Sequence, residues 1–200
     1  MTIRLGALSV LLAALSLGAA AQQNEYRIAP ASDTKFELVV AKTGLLSGKK
    51  HIFSFPQYSG ELRYDAKAPE DAKVSLAIDA SSIECKDDWV SDKDRRKILD
   101  EATGNMLQVK QHNTLRFEST SIRKEADGSF AVKGMLSLRG MPKPVDVKVK
   151  MTPAADGSIR FVGESTVDMT VWGMKPPKAV LGAIGTEKQM LVHFEVVAKK

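Results

Sequence analysis

Strict alternation of apolar and charged residues constrains this chain more than any other feature. Val145, Val147, Val149 and Met151 are apolar, and Asp146, Lys148 and Lys150 between them are charged. A period of two puts the apolar set on one face of an extended strand and the charges on the other. The pattern recurs along the chain. Phe36 and Leu38 alternate with Lys35 and Glu37, Phe53 and Phe55 flank Ser54, and Leu62 and Tyr64 bracket Arg63. Val74, Leu76 and Ile78 share a face, as do Leu115 and Phe117. Phe130, Val132, Leu136 and Leu138 keep one parity across Gly134, and a run from Phe161 through Val167 and Met169 to Val171 keeps another. Met190–Ala198 is the last predicted strand.

The punctuation between these runs fits antiparallel pairing. Asp127-Gly128 and Asp156-Gly157 each fall between two strand patterns and predict hairpin turns. Pro142 and Pro144 are expected to break the chain between strands, and Gly44, Gly48 and Gly60 to serve turns or bulges. Parallel sheets need crossover helices, which the pattern lacks. The expected fold is therefore all-β and antiparallel, a sheet that closes on itself or packs on a second one. Ser91–Leu107 departs from this rule: Ile98, Leu99, Ala102 and Met106 recur at helical spacing, Ser91 or Asp92 can cap the start, and Gly104 weakens the end. A short, broken amphipathic helix packed across one end of the β structure is predicted.

Residues 1–21 read separately. Arg4 is followed by an apolar stretch from Leu5 to Ala20 and a run of small residues ending at Ala21, the form of a secretory signal peptide. Residues 22–200 are then one domain, exported to the periplasm. Removing the leader takes away Arg4 and no acid, so a formal charge of +5 becomes +4. Basic and acidic residues are interleaved, which argues against nucleic-acid binding and leaves transient attraction to a membrane surface as an expectation. Cys85 is the sole cysteine, so no intramolecular disulfide forms, and it is expected to be buried. His51, His112 and His193 show no metal-ligand spacing, so no metal site is expected. No nucleophile elbow is present, and Gly182-Ala183-Ile184-Gly185 lacks the lysine of a phosphate loop; it reads as a turn before the final strand. The chain is expected not to be an enzyme and to carry no catalytic cofactor.

Specific motifs carry a resemblance over nearly all of residues 22–200. They are Tyr26-Arg27-Ile28 with Ser32 and Phe36, Tyr58-Ser59-Gly60 with Leu62-Arg63-Tyr64-Asp65, and Ile78-Asp79-Ala80-Ser81-Ser82-Ile83. Further on come Leu115-Arg116-Phe117-Glu118-Ser119, then Val132 to Gly140, then Lys143-Pro144-Val145. In this order the chain resembles the YceI-like family of exported, lipocalin-like proteins that bind polyisoprenoid or related amphiphilic lipids. It departs from the family pattern at Lys42-Thr43-Gly44, where a histidine is usual, at Asn105-Met106-Leu107, where an aromatic pair is usual, and at Cys85–Trp89. These departures mark a divergent branch.

The resemblance implies an antiparallel β-barrel of about eight strands with a short helical insertion. It also implies an apolar cavity holding an isoprenoid lipid or quinone. The expected lining is Phe36, Leu38, Phe53, Phe55, Leu76, Ile78, Phe117, Phe130, Val132, Leu136, Val147, Val149, Phe161, Val167 and Met169. Each of these also reads as ordinary core. Trp89 and Trp172 gate a mouth, stack on a ring or cover the barrel end; Lys42, Lys49, Lys50 and Arg139 meet an anionic headgroup or are simply solvated. The alternative function is a lipid-free envelope-stress or protein-interaction module.

Overall fold

The computed structural model describes residues 23–200; the predicted leader, residues 1–21, lies outside the described residues. The strands are β1 (Asn24–Ile28), β2 (Lys35–Gly44), β3 (Lys50–Ser54), β4 (Tyr58–Tyr64), β5 (Lys73–Asp79) and β6 (Glu84–Cys85). Helix α1 (Asp92–Glu101) follows. Then come β7 (Thr114–Lys124), β8 (Phe130–Leu138), β9 (Met141–Pro153), β10 (Ile159–Asp168), β11 (Lys178–Ala179) and β12 (Ile184–Lys199).

Every strand pair is antiparallel, and eight strands close a ring in the order β1-β4-β5-β7-β8-β9-β10-β12 and back to β1. The closing contact is short: Arg27 pairs with Lys199 and Ile28 with Ala198. β12 is long enough to serve two partners on one edge. It pairs with β1 at its end and with β2 over Ile184–Glu195. β2 leads on to β3 and β6, so these three strands form a flap that leaves the ring. The barrel is thus the predicted eight-stranded one, with an added flap.

The hairpin turns at Asp127-Gly128 and Asp156-Gly157 form as expected. In each, the aspartate accepts from the backbone N–H and hydroxyl of the serine two residues on, Ser129 and Ser158. These bonds favour the ionised carboxyl and hold both aspartates below the usual range. Ser91 caps α1 by accepting from the Asp94 N–H, and the helix widens into a looser turn over Ala102–Met106, around Gly104.

The prolines correct one expectation. Pro142 and Pro144 lie inside β9, paired with Ser137 and Met135 of β8. They are tolerated because β9 pairs with β10 only from Lys148 onward, so its far edge is unpaired beside both prolines. The carbonyl of Asp146, of the same parity, points to that edge and accepts from the Ser165 hydroxyl at 2.7 Å. A residue without an N–H costs nothing where no strand needs a donor. A second correction concerns Val171. The strand ends at Asp168, whose carboxylate caps the next turn by accepting from Thr170, and Val171 is exposed.

Candidate ligand-binding site

The inward parity of the ring strands builds a deep chamber with a cavity volume of about 180 Å³. Its wall is almost wholly hydrocarbon. Ser165 and Tyr64 are the polar side chains on the inward parity; Glu37 borders the chamber from between Phe36 and Leu38, with its side chain on the opposite face of the strand. Ser165 is satisfied by the Asp146 carbonyl, and Glu37 pairs with Lys35 at 3.6 Å. Burial raises the Tyr64 phenol above its ordinary pKa, helped by Tyr26 and Asp65. Such a wall offers a ligand little but apolar surface.

Two glycines set the bore. A methyl group on Gly134 would lie 2.3 Å from the Phe117 ring, and one on Gly163 would lie 2.3 Å from the Phe194 ring. Each ring therefore lies flat over a glycine of the adjacent strand, where any side chain would lift it into the chamber. Phe36 stacks on Phe194, with centroids 5.6 Å apart and planes at 12°. This fixes a pair of rings, Phe36 of β2 and Phe194 of β12, with the second seated over Gly163 of β10.

A second, outer chamber of about 360 Å³ lies between the flap, α1 with the turn after it, and the segment before β11. Leu38, Leu107 and Met190 line both chambers and form the wall between them. The outer wall mixes Val40, Phe53, Ile98 and four methionines, Met106, Met169, Met174 and Met190, with Lys42, His51, Lys97, Glu101, Lys178 and Thr186. Flexible thioethers adapt to irregular apolar partners. Burial lowers the Lys42 ammonium below the usual lysine range, although Asp87 counteracts this.

His51 is the polar group best fixed in this chamber. Its Nδ1 lies 2.5 Å from Asp87 Oδ2, and the Asp87 side chain is fully buried. A carboxylate accepts, so Nδ1 carries the hydrogen and Nε2 remains as the ring's second polar atom. The Ile52 N–H donates to Asp87 Oδ1 at 2.8 Å, and Arg95 donates to the Asp87 carbonyl at 2.7 Å. Trp89 stacks on the imidazole at 5.5 Å.

All the sequence-predicted lining residues face the deep chamber except Phe53 and Met169, which face the outer one; Leu38 faces both. Of the expected mouth residues, Lys42 lines the outer chamber. Trp89 lines neither; its indole N–H donates to the Lys50 carbonyl at 3.0 Å, and Lys49 lies over its ring. Lys50, like Lys49, is exposed. Trp172 lies in neither chamber and is 2% exposed, its N–H donating to the carbonyls of Leu136 and Met141. It plugs the β8–β9 end of the barrel. Arg139 packs beside it, donating to the Trp172 carbonyl, and also lines neither chamber. His51, Met106, Met174 and Lys178 escaped the sequence reading. A signal existed for His51, which shares the parity of Phe53 and Phe55.

Cys85 is buried at 7% exposure, and burial raises its thiol pKa. Among the described residues, no three His, Cys, Asp or Glu side chains cluster as a metal site, and no helix is long and apolar enough to cross a membrane.

The closed antiparallel ring and its hydrocarbon-walled interior define a lipocalin-like barrel with room for a hydrophobic ligand. The model of the YceI-like domain matches residues 26–198, and the chain belongs to the YceI-like family. A UPF0312 protein of Pseudomonas aeruginosa is 30% identical over 146 residues, covering 70% of this chain and 71% of that protein. Among solved structures, Burkholderia cenocepacia BcnA superposes with a TM-score of 0.66 at 15% identity, covering 82% of this chain and 95% of that one. A polyisoprenoid binding domain from Saccharophagus degradans, implicated in plant cell wall breakdown, gives a TM-score of 0.58 at 10% identity, covering 86% and 97%.

Proposed function

We propose that this protein is a periplasmic carrier of an isoprenoid-type amphiphile, a prenol or quinone, with the tail in the deep chamber and the polar head in the outer one. Export rests on the leader read in residues 1–21. The observation that carries the reading is the division between the chambers: one has almost no polar lining, and the adjoining one has lysines and a fixed imidazole. Each tail methylene moved from water into the deep chamber contributes roughly 0.8 kcal/mol, so a long tail supplies affinity without any catalytic group. A few polar groups at the other end are enough to orient the head. The fold shared with a polyisoprenoid binding domain supports the same ligand class.

The test is native mass spectrometry of protein taken from the periplasm of its own host, followed by solvent extraction. A discrete excess mass that proves to be one isoprenoid per chain is expected. A clean apo mass, together with no binding of added prenols or quinones, would overturn the reading and favour a ligand-free interaction module.

A further inference from the structure

Two turns stand side by side at the rim of the outer chamber. One joins β2 to β3 over Leu45–Lys49; the other joins β11 to β12 over Val180–Ala183. The Leu45 N–H donates to the Ala183 carbonyl at 3.0 Å, and Gly44 pairs with Ile184, so the tips form one surface. Their apolar side chains face water: Leu45 is 76% exposed, Val180 64%, and Leu181 fully so. Val180 and Leu181 have φ of 51° and 53°, a left-handed conformation that branched side chains rarely adopt. An unfavourable backbone that holds large apolar groups in solvent is unusual and points to use.

The charge on these tips is predominantly basic. Residues 42–50 and 173–186 together hold Lys42, Lys49, Lys50, Lys175 and Lys178 and no acidic residue, with Glu187 next in the chain and Glu101 on the chamber wall as the neighbouring acids. Elsewhere in the chain acids and bases are interleaved. Lys42, Lys178 and Ala179, which flank the tips in sequence, also line the outer chamber, so the surface adjoins it.

We infer that these paired tips dock the protein reversibly on an anionic lipid bilayer, with Leu45, Val180 and Leu181 entering the interface and the lysines meeting the headgroups. Apolar groups flanked by lysines are the composition of an interfacial anchor. Three side chains are few, so attachment is weak and salt-sensitive, as a protein that must leave the membrane requires. The surface stands whether or not the cargo is an isoprenoid, since it is read from exposure and charge alone.

Co-sedimentation of delipidated protein with vesicles tests this, using mixed phosphatidylcholine–phosphatidylglycerol vesicles against pure phosphatidylcholine. Trp89 packs against Lys49 and Lys50 and reports docking by fluorescence, with buried Trp172 as a constant background. Binding to the mixed vesicles, reduced by salt and absent on pure phosphatidylcholine, is expected. L45S/L181S and K49Q/K50Q should each weaken it about tenfold or more. K124Q/K133Q, distant in the sheet, should leave it unchanged. Thermal melts of all variants separate docking from unfolding. Failure of the unaltered protein to sediment with the mixed vesicles, or equal binding by folded L45S/L181S, would overturn the inference. Cargo retention, measured on the same variants by native mass, fails or survives separately.

Discussion

The two chambers share three residues and almost nothing else. The deep one is walled by strands whose hydrogen bonds run round a closed ring, and the Ser165 hydroxyl on its wall is already paired with a backbone carbonyl. The outer one is assembled from a flap, a helix, an irregular turn and a loop, and it keeps lysines and an imidazole at its surface. A closed sheet provides an apolar bore, because period-two alternation sends every second side chain inward. Segments that need not satisfy a ladder can bring polar groups together. Under the proposed function, the difference would give shape to one region and selectivity to the other.

The largest effect should come from breaking the deep wall. Phe117→Asp places a carboxylate where no partner exists and should destabilise the fold by about 3 kcal/mol or more, read as a shift in denaturant midpoint. If the variant keeps native circular dichroism, its cargo should be lost; full retention by folded protein would remove Phe117 from the bore. Gly134→Ala is next. Its methyl would meet the Phe117 ring and the Glu118 carbonyl, at 2.6 Å, and should cost about 1–3 kcal/mol in a thermal melt. No loss of stability would show that the ring has room to move.

Asp87→Asn sharpens the comparison from the other side. It leaves one acceptor oxygen where the His51 Nδ1–H and the Ile52 N–H need two, and should cost about 1–3 kcal/mol, while headgroup preference changes and tail-length preference does not. A shift in tail-length preference would mean that the chambers are not independent. The smallest effect concerns pH. Because burial lowers the Lys42 pKa from 10.5, its charge is lost in the folded protein at a lower pH than in the unfolded chain. Binding of an anionic alkyl phosphate should therefore weaken as pH rises through that lowered value, and a neutral alkyl alcohol should bind without change. The stability term has the matching sign: folding disfavours the charged ammonium, a penalty present at low pH and relieved as pH rises toward 10.5. Equal pH profiles for the two probes would exclude Lys42 from headgroup contact.

The legible parts of this molecule are those where neighbours in sequence are neighbours in space. Val145 to Met151 alternates, pairs in register with β8 and β10, and faces the chamber. Ser91 caps the helix that its sequence predicts. Pro142 and Pro144 misled because the sequence does not reveal that one edge of β9 is bare. A register shift between Ser119 and Ser121 brings Ile122 to the interior wall, a change of parity that alternation alone misses. The outer chamber was the least legible. His51, Lys97 with Met106, and Met174 with Lys178 belong to three segments that only tertiary packing brings together. For Trp172 the sequence leaves a gate, a stacking platform and a cover of the barrel end open; two backbone carbonyls draw its indole inside, where it acts as the cover.

The seam between β1 and β12 also sets an order of assembly. It joins Arg27 and Ile28 to Lys199 and Ala198, nearly the full span of the described chain. Hairpins such as β7–β8 and β8–β9 can zip as soon as they are made, but the ring must wait for its final strand. Loops of this length make closure the slow event in folding. Until then the future bore is an open, oily sheet, exposed to aggregation or to any amphiphile nearby. A hydrophobic molecule present at that moment would be wrapped by the closing sheet rather than threaded into a finished barrel.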